Sequence, residues 1–243
     1  MKLTPVLVFV ALLPAAHDSA AEPIVLYYNE RIPYLETQAN GEVGGLTATP
    51  ARLLFQRAGI AYVWKKAPAG TQVYLIRENR EPACLVGWYK NPEREKLGKY
   101  THPIYQGLKT VALTLAGNGK LGNEMTVADL LQKEGAVLLI KEMYSYGQTL
   151  DALIRRYQPH TAVATGENIN MLHMLIYKRT DYFFIGEEEA LELMRRSGYP
   201  LKDFKLIRFS EPLYEDPRHL WCSKQVPDSV IEKLDAAIDQ AGH

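Results

Sequence analysis

The chain has 243 residues, of which 47% are hydrophobic and 23% are charged. These values are typical of a globular protein, so disordered, collagen-like and low-complexity classes are excluded. The 28 basic side chains balance the 28 acidic ones, which argues against a nucleic-acid-binding protein, because that class normally carries an excess of positive charge. Two cysteines are too few for a disulfide-rich scaffold.

The N-terminus has the pattern of a secretion signal. Lys2 precedes an apolar run over 3–13, and small residues follow at Ser19, Ala20 and Ala21. The run of about 11 residues is too short to span a bilayer as a helix, which takes ~20. We therefore predict a signal peptide over 1–21, cleaved after Ala21, and a periplasmic protein without membrane insertion. Because that compartment holds no ATP or NAD pool, no cofactor is expected.

Strand-like and helix-like segments alternate along the rest of the chain. Strands are predicted over 24–28, 61–64, 83–88, 109–115, 137–140, 161–164, 181–185, 205–209 and 219–223. Helices are predicted to begin at Thr49 and Thr71 and to cover 126–135, 147–157, 169–177, 187–196 and 228–240. This regular succession indicates an α/β protein.

Motifs for metal binding, nucleotide binding or nucleophilic catalysis have little support. The chain contains no H-x-x-x-H or C-x-x-C pair and no G-x-S-x-G elbow. The stretch 117–122 matches G-x-G-x-x-G, but the next helix cap is Thr126, four residues too late for a dinucleotide fingerprint. We interpret this stretch as a flexible connection between two lobes.

One segment identifies a family. Glu93-Arg94 and the sequence Thr-His-Pro-Ile-Tyr over 101–105 follow a predicted strand. They are similar in order and spacing to the "(S/T)-x-E-R" and "(F/Y)-S-x-P-(Y/F)" motifs of the bacterial extracellular solute-binding proteins of family 3. Further similar motifs lie at 28–34, 41–46, 126–130, 145–147 and 181–186. The resemblance therefore extends over the chain that follows the signal.

The resemblance implies an α/β, two-lobed type II periplasmic binding protein fold with a two-segment hinge, which closes around a small ligand. Lobe 1 is expected over 22–113 and 212–243 and lobe 2 over 114–211, with crossings near 114–118 and 209–213. The strand that returns to lobe 1 is expected beside the third strand, which makes Cys84 and Cys222 neighbours. In an oxidising compartment they form either a disulfide or a pair of buried thiols.

The resemblance also assigns site residues. In the family the arginine of the E-R motif pairs with a ligand carboxylate, which gives Arg94 this role. The alternative is a surface arginine paired with Glu93 or Glu95. Ser145 and the amides after it are expected to face a carboxylate from lobe 2, or else only to cap a helix.

Aromatic residues and one acid complete the predicted site. Tyr28, Tyr34 and Trp88 are expected as cleft walls, with the core of lobe 1 as the alternative place for each. Amino-acid binders of the family hold the α-ammonium with an aspartate where this chain has Gly186-Glu187. Glu187 either substitutes for it or simply begins a helix, so the resemblance favours a carboxylated or aromatic ligand over a strict α-amino acid.

The leading hypothesis is a monomeric solute-binding protein without catalysis that captures a small carboxylated or amino-acid-like ligand. Its expected partners are that ligand and the membrane subunits of an ABC-type uptake system. One alternative is an enzyme on the same fold, of the cyclic acid dehydratase type, with Glu187 as acid or base. The other is a ligand-sensing domain.

Overall fold

The computed structural model of the protein describes residues 22–242. The predicted signal peptide over 1–21 lies outside the described residues. Within 22–242, no helix combines the length and the apolar character that crossing a bilayer requires.

Strands and helices follow each other through the described chain much as the sequence predicts. The strands are β1 (Ile24–Tyr28), β2 (Glu36–Thr37), β3 (Val43–Gly44), β4 (Tyr62–Lys66), β5 (Ala83–Tyr89), β6 (Gly98–Tyr100), β7 (Lys109–Leu115), β8 (Glu124–Met125), β9 (Leu138–Lys141), β10 (Thr161–Ala164), β11 (Tyr182–Gly186), β12 (Phe204–Phe209), β13 (Leu213–Tyr214) and β14 (Arg218–Ser223). The helices are α1 (Ala48–Arg57), α2 (Ala69–Glu78), α3 (Pro92–Glu95), α4 (Val127–Leu131), α5 (Gln148–Tyr157), α6 (Asn168–Ile176), α7 (Glu187–Arg196) and α8 (Asp228–Ala241). Strands β1, β7 and β10 have the predicted bounds.

The starts of α1 and α4 can be compared with the starts that the sequence predicts. α1 begins at Ala48 after Thr47, so the start predicted at Thr49 is too late along the chain. Thr126 caps α4 as predicted and forms a capping box: its hydroxyl oxygen accepts from the backbone nitrogen of Asp129 at 3.0 Å, and the Asp129 carboxylate accepts from the backbone nitrogen of Thr126 at 3.3 Å. Such reciprocal bonds satisfy two of the free donors at a helix start.

The first sheet has the order β4-β1-β5-β14-β6 and forms the first lobe with α1, α2 and α8. β1 is parallel to β4 and β5, and β14 is antiparallel to β5 and β6. Alternate side chains of β1 pack on opposite faces: Leu26 lies with the core of α1 and α8, and Val25 lies with that of α2. Because helices cover both faces, the strand is apolar throughout.

The second sheet has the order β10-β9-β11-β7-β12-β8, and β13 also pairs with β7. β7 is antiparallel to β11 and β12. One face packs on α4 and α5 and the other on α6 and α7, with Phe184 and Phe183 as successive β11 side chains on the two faces. This sheet and its four helices form the second lobe.

The two crossings between the lobes lie at other positions along the chain than the sequence analysis predicted. It leaves the first sheet after β6, enters the second at β7, and returns between β13 and β14. The predicted crossings near 114–118 and 209–213, and the lobe boundary at 113/114, therefore fall inside the second lobe. β7 belongs there along its whole length because it is buried on both faces between its two antiparallel neighbours. The glycine-rich stretch 117–122 joins β7 to β8 within this lobe.

The two crossing segments, 101–108 and 215–217, lie beside each other. The backbone nitrogen of Arg218 donates to the carbonyl oxygen of Tyr105 at 2.8 Å, and that of Glu215 donates to Leu108 at 3.2 Å. The Gln106 amide donates to the Glu215 carbonyl oxygen at 2.7 Å. The chain thus joins the lobes through one narrow pair of neighbouring segments, which is the geometry of a two-segment hinge.

Candidate functional site

A bulge at Gly87 aims the end of β5 at the cleft between the lobes. His219 of β14 faces Trp88 and Leu220 faces Val86, so Gly87 has no partner, and its φ is +80°. A bulged residue reverses the alternation of side chains beyond it. Val86 accordingly packs with α1 and α8, whereas Trp88 packs on the opposite face.

We expect Gly87→Ala to lower the free energy of unfolding by about 1–3 kcal/mol, because a non-glycine residue is strained at this φ. The new Cβ would also lie 3.0 Å from the Thr47 hydroxyl oxygen. Gly70→Ala is the matched control, since Gly70 lies in α2 with nothing within 4 Å of the added atom, and it should leave stability unchanged or raise it by up to ~1 kcal/mol. Urea unfolding followed by circular dichroism measures both, and equal stabilities would contradict the strained bulge.

Arg94 is held in the cleft by the short helix α3. The Asn91 side-chain oxygen accepts from the Arg94 backbone nitrogen at 2.9 Å, and Pro92 occupies the first helical position. The guanidinium donates to two backbone carbonyls, that of Tyr89 in the first lobe at 2.9 Å and that of Met143 in the second lobe at 3.2 Å. Arg94 therefore bridges the two lobes.

The Arg94 guanidinium is buried without a carboxylate beside it. It lies 4.7 Å from the ring centre of Trp88 and 5.6 Å from that of Trp221. Among the ion pairs of residues 22–242 none includes Arg94, and Glu95 pairs instead with Lys90 at 3.0 Å. Burial lowers the pKa of Arg94, against a smaller opposing attraction from Tyr100 and Asp151. Such a group has free donors and a missing countercharge, so it is chemically suited to receive an anion.

Two aspartates of the chain accept hydrogen bonds at the N-terminus of α5. Ser145 donates its hydroxyl proton to Asp151 at 2.5 Å, and the Tyr146 backbone nitrogen donates to the same carboxylate at 2.8 Å. The Gln148 backbone nitrogen donates to Asp216, on the returning crossing segment, at 2.7 Å. Carboxylates are favoured at a helix N-terminus, so Asp151 and Asp216 stand where the sequence analysis expected a ligand carboxylate.

The predicted aromatic walls divide between cleft and core. Tyr34 and Trp88 line a cavity between the lobes. Tyr28 lies in the core of the first lobe, where its hydroxyl is 2.8 Å from that of Thr37 and its ring centre is 5.7 Å from that of Trp64. Tyr28 is therefore a core residue of the first lobe, which was the stated alternative to a cleft wall.

Glu187 lies away from the cleft cavities, and its carboxylate accepts from Arg208 at 2.9 Å. Glu189 faces the cleft instead, with its side chain only 1% exposed. Successive helical residues are rotated by ~100°, so two residues apart they point to nearly opposite sides. The acid of this region that could meet a ligand is therefore Glu189.

Two small cavities lie inside the cleft, beside a wider groove of about 420 Å³ that Arg94, Lys141 and Ser145 line. The Arg94 cavity includes Arg94, Tyr34 and Trp88 in its wall, the Glu189 cavity includes Glu189 and Lys141, and Arg31 and Tyr144 line both. Each holds about 30 Å³, whereas a single water needs roughly 10–15 Å³ of such space. In this closed arrangement each of the two cavities accommodates one or two waters, and a ligand of amino-acid size fits neither of them unless Arg31 or Tyr144 moves.

The sequence analysis did not single out Arg31, Tyr144, Lys141 or Glu189 as site residues. Arg31 lies inside the loop 28–34 that resembled a ligand loop, and Glu189 lies inside the acidic run that begins α7. Tyr144 directly precedes Ser145, but nothing in the sequence around it indicates that its ring faces the other lobe.

The two α/β lobes, the paired crossing segments and the cleft between them define a type II periplasmic binding protein fold, which confirms the fold class predicted from the sequence. Solved structures of this class match most of the chain. An ancestral arginine-binding protein bound to arginine has a TM-score of 0.71 and 14% identity, covering 90% of this chain and 92% of that one. A Salmonella typhimurium periplasmic binding protein with high arginine specificity has a TM-score of 0.67 and 15% identity, covering 91% and 93%.

The substrate-binding protein of an amino acid ABC transporter has a TM-score of 0.69 and 14% identity, covering 91% of this chain and 95% of that one. No family model and no curated protein matches the sequence. At these identities the structural matches show the fold and leave the ligand to be argued from the cleft.

Proposed function

We propose that this chain is a periplasmic solute-binding protein that captures a small carboxylated ligand between its lobes, with Arg94 as the group that binds the carboxylate. The observation that carries the proposal is the buried Arg94 guanidinium, which donates to the carbonyl oxygens of Tyr89 and Met143 in the two lobes and has no ion-pair partner among residues 22–242. The fold is shared with the substrate-binding protein of an amino acid ABC transporter, which supports delivery to the membrane subunits of such a system.

The surroundings of Arg94 favour a carboxylate over a neutral ligand. A guanidinium binds a carboxylate through two parallel hydrogen bonds, and such charge-assisted bonds are about twice as strong as neutral ones. The rings of Trp88 and Trp221 limit the water around the charge, which strengthens the attraction to an anion. A ligand carboxylate would replace the carbonyl of Met143 as a partner from the side of the second lobe.

Replacing Arg94 tests this assignment. We expect Arg94→Ala to weaken binding of a small carboxylate by about 2–5 kcal/mol, and Arg94→Lys to bind poorly as well, because lysine lacks the planar fork. A thermal-shift screen of amino acids and small carboxylates identifies the probe, and calorimetry measures its affinity. Arg57→Ala, at the exposed end of α1, is the control and should bind as the unaltered protein does. Unchanged affinity in both Arg94 variants would reject the role.

The proposal is one of binding without catalysis and without a cofactor. The enzyme alternative placed proton transfer on Glu187, and that carboxylate is paired with Arg208 outside both cleft cavities. A general acid or base has to lie within hydrogen-bond reach of the reacting group. A ligand-sensing protein would bind its ligand in the same cleft and would differ only in the partner that recognises the closed form.

A further inference from the structure

The side chain of Arg31 crosses from the first lobe into the second. Arg31 follows β1, and its loop is fixed by backbone hydrogen bonds of 2.8 Å from Arg31 to Leu35 and from Tyr34 to Arg31. Its guanidinium reaches α7, where Nε donates to one Glu189 carboxylate oxygen at 2.9 Å and Nη2 donates to the other at 2.8 Å. Two parallel bonds of this kind are the most specific way in which a protein binds a guanidinium.

The surroundings of the pair complete a binding site for that group. The guanidinium carbon lies 5.1 Å from the ring centre of Tyr34 in the first lobe and 5.1 Å from that of Tyr144 in the second. Aromatic rings at this distance favour a cation. The Asn168 amide donates to Glu189 at 2.5 Å and holds the carboxylate in place.

The pair is far better shielded than the other ion pair between the lobes. The Arg31 and Glu189 side chains are 18% and 1% exposed, whereas Arg196 and Glu36 at the rim are 44% and 34% exposed. Exposed pairs contribute little because water screens them. Burial opposes the charge of Arg31, but the electrostatic attraction to Glu189 and Tyr144 outweighs it and raises the pKa of Arg31. Arg31 therefore remains charged at all ordinary pH values.

We infer that the second lobe carries a guanidinium-binding site, made by Glu189, Asn168 and Tyr144, and that the chain fills this site with its own Arg31. Arg31 then acts as an internal ligand that keeps the lobes closed before any solute is bound. It also separates the two cleft cavities, since it lines both. A solute that enters the Glu189 cavity has to displace Arg31, and a solute with a guanidinium group competes for the same carboxylate. This inference does not depend on the role proposed for Arg94.

The competition has a quantitative consequence. If the open, binding-competent form is a minor fraction of the protein, the apparent dissociation constant of any solute is raised in inverse proportion to that fraction. Loss of the Arg31 side chain removes this competition and leaves the Glu189 carboxylate free to bind another guanidinium. Methylguanidinium, which has the same planar head, is therefore the probe.

Solution scattering of the ligand-free protein tests the closure. We expect Arg31→Ala to have a larger radius of gyration than the unaltered protein, and we expect millimolar methylguanidinium to restore the compact value in that variant only. Arg196→Ala, which breaks the exposed pair at the rim, is the matched control and should stay compact. Tetramethylammonium at the same concentration is the control for ionic strength.

Calorimetry tests the site itself. Methylguanidinium should bind Arg31→Ala, should not bind the unaltered protein, and should bind the double variant Arg31→Ala/Glu189→Gln about 10- to 100-fold more weakly than the single variant, because the charged hydrogen bonds are lost. Circular dichroism confirms that each variant is folded. A folded Arg31→Ala that is as compact as the unaltered protein, or that does not bind methylguanidinium, would overturn the inference. Neither outcome affects the Arg94 test, which uses carboxylate probes.

Discussion

Glu215→Ala should lower the free energy of unfolding by about 3–5 kcal/mol, because it leaves the buried charge of Arg218 without its partner. Glu215 and Arg218 are 6% and 1% exposed. Arg218 donates from one nitrogen to both Glu215 carboxylate oxygens at 3.0 Å, and the Tyr34 hydroxyl donates to the same carboxylate at 3.3 Å. Breaking one member of such a pair costs far more than the pair itself contributes.

The position of the pair adds to the expected cost. Glu215 lies on the returning crossing segment, and a Cβ added at Gly107 of the other segment would lie 2.0 Å from its carboxylate. Arg218 also lies over the rings of Tyr34 and Tyr89, 4.1 Å and 4.5 Å from their centres. Burial opposes the charge of Arg218, but the attraction to Tyr89 and Glu215 outweighs it and raises the pKa of Arg218. Because an arginine side chain stays protonated in proteins, the cation persists when Glu215 is removed.

Urea unfolding of Glu215→Ala measures this effect against Glu78→Ala. Glu78 pairs with Arg80 at the surface, where the side chains are 29% and 78% exposed, and its loss should change stability by less than about 1 kcal/mol. A double variant, Glu215→Leu/Arg218→Met, should recover much of the loss, because two apolar groups leave no unpaired charge. Similar stabilities for Glu215→Ala and Glu78→Ala would contradict the importance of the pair.

The sequence predicted the elements of this fold more reliably than their assembly. β1, β7 and β10 could be delimited because their apolar runs are bounded by turn residues, and α7 because acids begin it and arginines end it. The lobe boundary could not be placed, since β7 reads as a strand in either sheet and only its pairing with β11 and β12 assigns it to the second.

The candidate site was predictable where one local motif carries it and unpredictable where two lobes meet. Arg94 was predicted through its resemblance to the arginine of the family's E-R motif, which is a local signal over Glu93 and Arg94. One of the two acids at the start of α5 is Asp216, 68 residues beyond Gln148 along the chain, and Arg31 meets Glu189 158 residues away. Such contacts depend on the closure of the lobes, and a single sequence contains no local signal for them.

The disulfide between Cys84 and Cys222 is expected to make the other large contribution to the free energy of unfolding. The two residues face each other on the antiparallel strands β5 and β14, and their sulfurs are 2.05 Å apart. The bond closes a chain separation of 138 residues, which reaches from the first lobe through the whole second lobe and back. In the loop-closure model a crosslink of this span stabilises the fold by about 5 kcal/mol, through the entropy that the unfolded chain loses.

We expect reduction of the bond in the unfolded protein, or the double variant Cys84→Ala/Cys222→Ala, to lower the free energy of unfolding by up to about 5 kcal/mol. Urea unfolding with and without a reductant measures it, and the double variant is its own control because a reductant should not change its midpoint. Both cysteines are fully buried, so the native protein should resist reduction until the first lobe opens. Labelling of the denatured, unreduced protein decides whether the bond forms: no reactive thiol is expected, and two per chain would reject it.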